Sequence, residues 1–250
     1  MQKLTEIQHS KRAYSKATAQ RENGSIQPTD SKTAHGVGRL LTYQLWKGVI
    51  DRLLALLALV VLSPILIIIA LAVRLDSAGN PLFRQERIGK EGRTFIAYKF
   101  RTMHINNDDS EYKAYLGRYI LENTPYQIDE VGQPVFKVVN DARVTRVGSL
   151  LRRTNLDELP QLLNILQGEM SLVGPRPEVS FALSMYKQRQ RERFTVKPGI
   201  TGLWQVCGRK NLSFKDMIRL DLEYIERQSL LFDIKILLLT VRTVVRKDGS

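Results

Sequence analysis

The chain has 250 residues, with 38 Lys+Arg against 25 Asp+Glu, a formal charge of +13 and 43% apolar residues. That length suits one domain of ordinary size with appendages, and the charge points to a polyanion: nucleic acid, acidic lipid headgroups or phosphorylated substrates. A single Cys207 excludes a disulfide framework and a Cys-rich zinc site, and the scattered His9, His35 and His104 argue against a His metal site or a Ser-His-Asp triad.

Residues 1–44 are polar and basic and read as a disordered extension. No apolar stretch follows the first basic residues closely enough for a secretory signal. From Leu53 to Val73, 21 consecutive residues carry no charge. As a straight helix they rise roughly 31 Å, about the thickness of a hydrocarbon core, so a transmembrane helix is the plain reading. Two features favour a re-entrant helix over 45–75 instead. Ser63-Pro64 falls in the middle of the run, where proline removes an amide donor and forces a kink or break. Lys47 and Arg52 precede the run and Arg74, Arg84 and Arg87 follow it, so the positive-inside bias keeps both flanks in the cytoplasm. Ser63 is placed to satisfy a carbonyl freed at the break.

A β-hairpin is expected from Phe83 to Ile88 and Thr94 to Phe100, turning at Gly89-Lys90-Glu91-Gly92. Tyr112, Tyr115, Leu116, Tyr119 and Ile120 recur at helical spacing over 108–122, facing either a core or a membrane interface. Residues 123–140 read as a long surface loop. Helices are expected over 157–167, stopping at Gly168, and over 180–193 with a basic end. A last helix over 228–247 interleaves Leu237, Leu238 and Leu239 with Lys235 and Arg242; it suits a membrane surface, with a buried core helix as the rival.

The densest candidate chemistry is Arg152-Arg153-Thr154-Asn155-Leu156-Asp157-Glu158-Leu159-Pro160-Gln161. In the bland reading Asp157 caps a helix and Glu158 complements its dipole. In the functional reading the helix start and the arginines hold phosphate, while the carboxylates bind Mg²⁺ or one of them attacks phosphorus. Spacing leaves these open. Lys99 and Arg101 follow the hairpin, Pro175-Arg176-Pro177 presents a lone arginine on a rigid loop, and Lys197 to Gln205 is punctuated by glycine; each alone is explained by an ordinary turn.

Taken in order, Ser63-Pro64, Lys99 to Met103, Arg152 to Gln161, Ser171 to Glu178 and Lys197 to Gln205 closely resemble the bacterial sugar transferases, the monotopic phosphoglycosyl transferases that start polyprenyl-linked glycan synthesis. The resemblance covers about residues 45–245. It implies an α+β, mostly helical monotopic membrane protein: the extension 1–44, a re-entrant helix 45–75 broken at Ser63-Pro64, a cytoplasmic catalytic domain 76–227 carrying a small hairpin, and an amphipathic surface helix 228–250. It implies that Asp157 attacks a UDP-sugar, releasing UMP, and that the phosphosugar then passes to undecaprenyl phosphate. Glu158 assists as acid/base or through Mg²⁺, and Asp157 is a candidate Mg²⁺ ligand. Phosphate falls to Arg152, Lys99 and Arg101, and the uridine lies near Pro175, Arg176 and Pro177. The expected setting is the cytoplasmic face of a bacterial inner membrane. The partners are UDP-sugar, undecaprenyl phosphate and membrane lipids, without nucleic acid, and a homodimer is one option for the assembly. A nucleotide-sugar pyrophosphate hydrolase and a non-enzymatic anionic-lipid-binding protein are the alternatives.

Overall fold

A computed structural model of the chain describes residues 33–245 apart from 106, 107, 131, 137, 139, 140, 209 and 210, with side chains from 42 to 243. The expected disorder of the extension falls largely outside these residues. Within them the first helix, α1, already begins at Thr33 and runs to Asp76. It does not stop at Pro64. Proline cannot donate to the carbonyl of Val60 four residues back, and the Ser63 hydroxyl donates to that oxygen instead at 2.8 Å. One serine thus lets the helix pass its own proline.

The apolar run is not a core helix. Leu57, Val60, Val61, Ile67 and Ile68 are 60–65% exposed. Such a stripe is left for hydrocarbon, and the protein is membrane-associated. Both ends of the run nevertheless dock on the same globular unit, which begins at Tyr43. Before it, Lys47 pairs with Asp233 at 2.8 Å, and the Ser171 hydroxyl donates to Asp51 at 2.6 Å. After it, the Val147 amide donates to Asp76 at 3.0 Å, and the Arg101 guanidinium donates to the Ser77 carbonyl at 2.7 Å. Between these anchors Ala55 packs on Phe95, Ala97 and Ile165, while Ile69 and Val73 pack on Phe100 and Leu151.

The hairpin forms as the alternation predicts: β1 (Leu82–Ile88) pairs antiparallel with β2 (Thr94–Phe100) around a turn at Lys90–Gly92. Helix α2 (Ser110–Glu122) follows, and its tyrosines face the core, with Tyr115 buried and Tyr112 and Tyr119 packed on the main cluster. The expected loop 123–140 contains a short antiparallel ribbon, β3 (Gln127–Ile128) with β4 (Pro134–Val135).

Next comes α3 (Arg146–Thr154), a short amphipathic helix not expected from the sequence; Thr145 caps it, its hydroxyl accepting from the Gly148 amide at 3.0 Å. Gly148 is obligatory, because a Cβ there would stand 2.2 Å from the Thr102 carbonyl oxygen. The close approach moors α3 to the end of β2. Asn155 then adopts the left-handed region (φ 54°) and redirects the chain into a 3-10 turn, Leu156–Gln161, that continues as α4 (Leu162–Gln167). Gly168 ends α4 at φ 81°, as expected of a C′ glycine.

Strand β5 (Ser171–Val173) pairs parallel with β7 (Gly199–Thr201), and β6 (Glu178–Val179) adds to the free edge of β1. The expected helix 180–193 is instead two 3-10 segments, Ser180–Met185 and Gln188–Thr195. Tertiary bonds override local propensity here: the chain extends at Tyr186 so that its hydroxyl donates to Glu178 at 2.6 Å. Short α5 (Leu203–Cys207), α6 (Phe214–Glu226) and α7 (Leu230–Val245) complete the unit. Helix α7 is packed on one side and open on the other: Ile236 is buried against Val173, Leu203 and Tyr224, while Leu231, Ile234, Leu238 and Val241 form an exposed apolar stripe at helical spacing.

Candidate active site

Strand β2 and the 3-10 turn build the site together. Because strand side chains alternate, Phe95, Ala97 and Lys99 share a face; the first two pack on α4, and Lys99 reaches the turn just before it. Among the described residues no strand lies beside the outer edge of β2. Asn164, wholly buried on α4, takes that place: its Oδ1 accepts from the Tyr98 amide at 3.1 Å, and its Nδ2 donates to the Ile96 carbonyl at 2.7 Å and to Glu169 at 2.8 Å. One asparagine therefore fixes the acidic turn against the strand. Its signal in the sequence is a lone amide within Leu162-Leu163-Asn164-Ile165-Leu166.

The two acids on this turn have different surroundings. Glu158 is only 13% exposed and is spent on cations: Lys99 Nζ lies 2.8 Å from Oε1, and Arg176 binds both oxygens, one contact being 3.0 Å. Burial opposes ionisation, but Arg176 and then Lys99 outweigh it and hold this carboxyl well below the usual range. Asp157 engages no hydrogen bond among the described residues. Burial, then the neighbouring Glu158 charge, pushes its carboxyl upward, against the pull of Lys99, Arg176 and Arg152. Asp157 is also not a cap; that position belongs to Asn155.

Of the expected phosphate ligands, Lys99 and Arg152 flank the pair, and Arg176, from the loop expected near the uridine, joins them. Arg152 is steadied by Thr102, whose hydroxyl accepts from Nε at 2.9 Å. Arg101 does not join them: its guanidinium serves the carbonyls at the end of α1, a structural post forced by the strand ending at Phe100. Arg153 faces Ser149 on the exposed side of α3. The expected amide cradle at a helix start is likewise replaced by a 3-10 turn. Ser63 and Pro64 lie in the apolar run, remote from the carboxylates along the chain.

The Pro175-Arg176-Pro177 loop is fixed at three consecutive carbonyls, each by another element. Pro175 accepts from the Gly199 amide at 2.8 Å, Arg176 from Arg193 Nη2 at 2.9 Å, and Pro177 from Arg87 Nη1 at 3.2 Å. Both arginines went unnoticed in the sequence, Arg87 as a flank charge and Arg193 as part of a basic run. Arg193 is 1% exposed and pairs with Asp221, itself 1% exposed, at 2.7 Å, while Nη1 meets Tyr186 and Glu178. Despite Arg193, burial pushes the Asp221 carboxyl up to about 6. Arg87 and Tyr112 also lie within electrostatic reach of Arg176.

Among the described residues no group of three or more His, Cys, Asp or Glu comes together to hold a metal. A Mg²⁺ ion would take Asp157 as its protein ligand and complete its shell from phosphate oxygens and water, the usual habit of that ion.

One acid locked between two cations, with a second left open beside a third, suits group transfer between phosphorylated molecules, and the exposed apolar helix brings that chemistry to a membrane. The chain belongs to the bacterial sugar transferases, whose family pattern matches residues 42–247. It is 41% identical over 214 residues to UDP-glucose:undecaprenyl-phosphate glucose-1-phosphate transferase of Escherichia coli, covering 82% of this chain and 40% of that protein. It is 40% identical over 204 residues to the UDP-galactose-lipid carrier transferase of Erwinia amylovora, covering 82% and 41%. The exopolysaccharide production protein ExoY of Sinorhizobium fredii is 40% identical over 200 residues, covering 80% and 85%. The chain thus spans about two fifths of the first two relatives and most of the third.

Proposed function

We propose that this protein transfers a sugar-1-phosphate from a UDP-sugar to undecaprenyl phosphate through a phosphosugar bound to Asp157. The observation that carries this reading is the division of labour between the acids: Glu158 is held ionised by Lys99 and Arg176, leaving Asp157 without a hydrogen bond. The names of the relatives support the donor and acceptor classes.

In the first step a carboxylate oxygen of Asp157 attacks the sugar-bearing phosphorus. The bond to the bridging oxygen breaks, and UMP leaves with that electron pair. In the second step an oxygen of undecaprenyl phosphate attacks the same phosphorus, the acyl–phosphate bond breaks, and the Asp157 carboxylate is restored. Lys99, Arg152 and Arg176 stabilise the charge that gathers on the transferred phosphoryl oxygens. Mg²⁺, when bound, neutralises charge on the diphosphate. Membranes supplied with a UDP-sugar and undecaprenyl phosphate are expected to release UMP over many turnovers only when the lipid is present. Sustained release without lipid would mean a hydrolase, and no release with any nucleotide sugar would favour a binding protein.

The re-entrant topology belongs to the same proposal. A straight span would carry Asp51 and Asp76 to opposite faces of the bilayer, roughly 38 Å apart along the helix axis. Both are bonded to one polar domain, and a polar domain of this kind belongs on one side of a bilayer, which favours the re-entrant reading. We place that domain on the cytoplasmic side of the inner membrane, in keeping with the basic flanks. With the exposed native Cys207 replaced by serine, single cysteines introduced at positions 40 and 80 should both react with a thiol reagent supplied from the cytoplasmic side. Labelling from opposite sides would overturn the topology.

A further inference from the structure

A second gathering of cations lies away from the carboxylate pair. Gly168 closes α4 in the left-handed region, and two basic side chains fill the space above it where other residues carry a Cβ. An Nη of Arg52 lies 2.5 Å, and Lys197 Nζ 3.7 Å, from the point where that Cβ would stand. The other Nη of Arg52 passes 3.9 Å from the equivalent point on Gly48, an ordinary contact, so it is Gly168 that makes room for the guanidinium. Among the described residues neither Arg52 nor Lys197 has an ion pair or side-chain hydrogen bond.

Lys90 adds a third positive charge within electrostatic reach, its own acid Glu91 standing 3.7 Å away on the exposed side. The nearest buried acid, Asp51, is already engaged by Lys47 at 3.4 Å and by the Ser171 hydroxyl. Burial, then Arg52 and Lys90, lowers the pKa of Lys197 against a smaller opposing pull from Asp51. Packing like charges together is unfavourable unless an anion sits between them.

The level of the cluster selects the anion. Arg52 is the last charged residue before the apolar run begins at Leu53, so it stands where hydrocarbon gives way to headgroups. The acidic turn lies at the other end of the 3-10 and α4 stretch, roughly 20 Å away along the axis. We propose that Arg52 and Lys197, with Lys90 beside them, bind the phosphodiester headgroup of an anionic membrane phospholipid at a site separate from the carboxylate pair. The guanidinium takes two non-bridging oxygens and the ammonium a third contact. The acyl chains then follow the exposed side of α1, fixing the start of the apolar run at the interface. The proposal rests on membrane association alone and not on the transfer reaction.

Native mass spectrometry of the full chain in mild detergent, titrated with short-chain phosphatidylglycerol and phosphatidylcholine, tests it. A basic side chain near an anionic headgroup is worth about five-fold in affinity, so Arg52→Gln with Lys197→Gln should weaken phosphatidylglycerol binding about 25-fold. Phosphatidylcholine adducts should be unchanged, which shows that the double variant is folded and still takes lipid. A control pair on exposed α2, Lys113→Gln with Arg118→Gln, should keep the preference. Undiminished phosphatidylglycerol binding by the Arg52/Lys197 double variant would overturn the proposal. So would displacement of the lipid by an equal concentration of inorganic phosphate, which would mark a site for free anions.

Discussion

Asp157→Asn should lower sugar-phosphate transfer by on the order of 10⁴-fold while leaving the protein as stable as before, or slightly more so. The amide cannot attack phosphorus, and loss of a nucleophile is among the largest single-residue effects known in enzymes. Stability is spared because the Asp157 carboxylate has no hydrogen bond to lose among the described residues. Its charge is already disfavoured by burial and by Glu158, and a neutral side chain of the same shape relieves both. Steady-state UMP release, measured beside a thermal melt, checks both halves. Retained activity would remove the covalent step from the mechanism.

Glu158→Gln should do the reverse to stability. It keeps the shape but strips the counter-charge from Lys99 and Arg176 in a site where the acid is only 13% exposed. Breaking a largely buried ion pair from one side costs about 3–5 kcal/mol, or roughly 6–20 °C of melting temperature for a chain of this size. Activity falls as well, because Arg176 loses the partner that orients it. The pH dependence follows from the same pairing. The unfolded carboxyl titrates near 4.5, and the folded one lies well below that. Its contribution is therefore complete above about pH 5.5 and is lost as the pH falls through 4.5 and beyond. A melt series from pH 7 to pH 3 should show this acid-side loss in the parent and a shallower one in Glu158→Gln. Equal slopes would mean that Glu158 does not carry the pairing energy.

Much of this was legible in the chain because the signals are local. The hairpin follows from alternation on either side of Gly89 to Gly92, the end of α4 from Gly168, and the acidic pair from its setting among arginines. What escaped depends on partners distant in sequence. Arg101 and Lys99 are two residues apart, yet the strand ends between them, so one reaches Glu158 and the other the end of α1. Arg193 looks like any solvated arginine in Arg189-Gln190-Arg191-Glu192-Arg193, and only the approach of Asp221 and Glu178 buries it. Helix α3 is only nine residues long, with Val147 and Leu151 as its few apolar contacts, and the close approach of Gly148 to Thr102 that moors it involves a partner far away in sequence. Pro64 reads as a break in the sequence, yet α1 runs through it, with the Ser63 hydroxyl bonded to the carbonyl that proline leaves free.

The division between an open acid and a locked one is tested most directly by intact-protein mass spectrometry after incubation with a UDP-sugar and no lipid acceptor. The expected result is one added sugar phosphate per chain, mapped to Asp157, one equivalent of UMP, and loss of the adduct when undecaprenyl phosphate is added. An unmodified chain that releases UMP only after the lipid arrives would contradict it, since the lipid would then attack the nucleotide sugar directly.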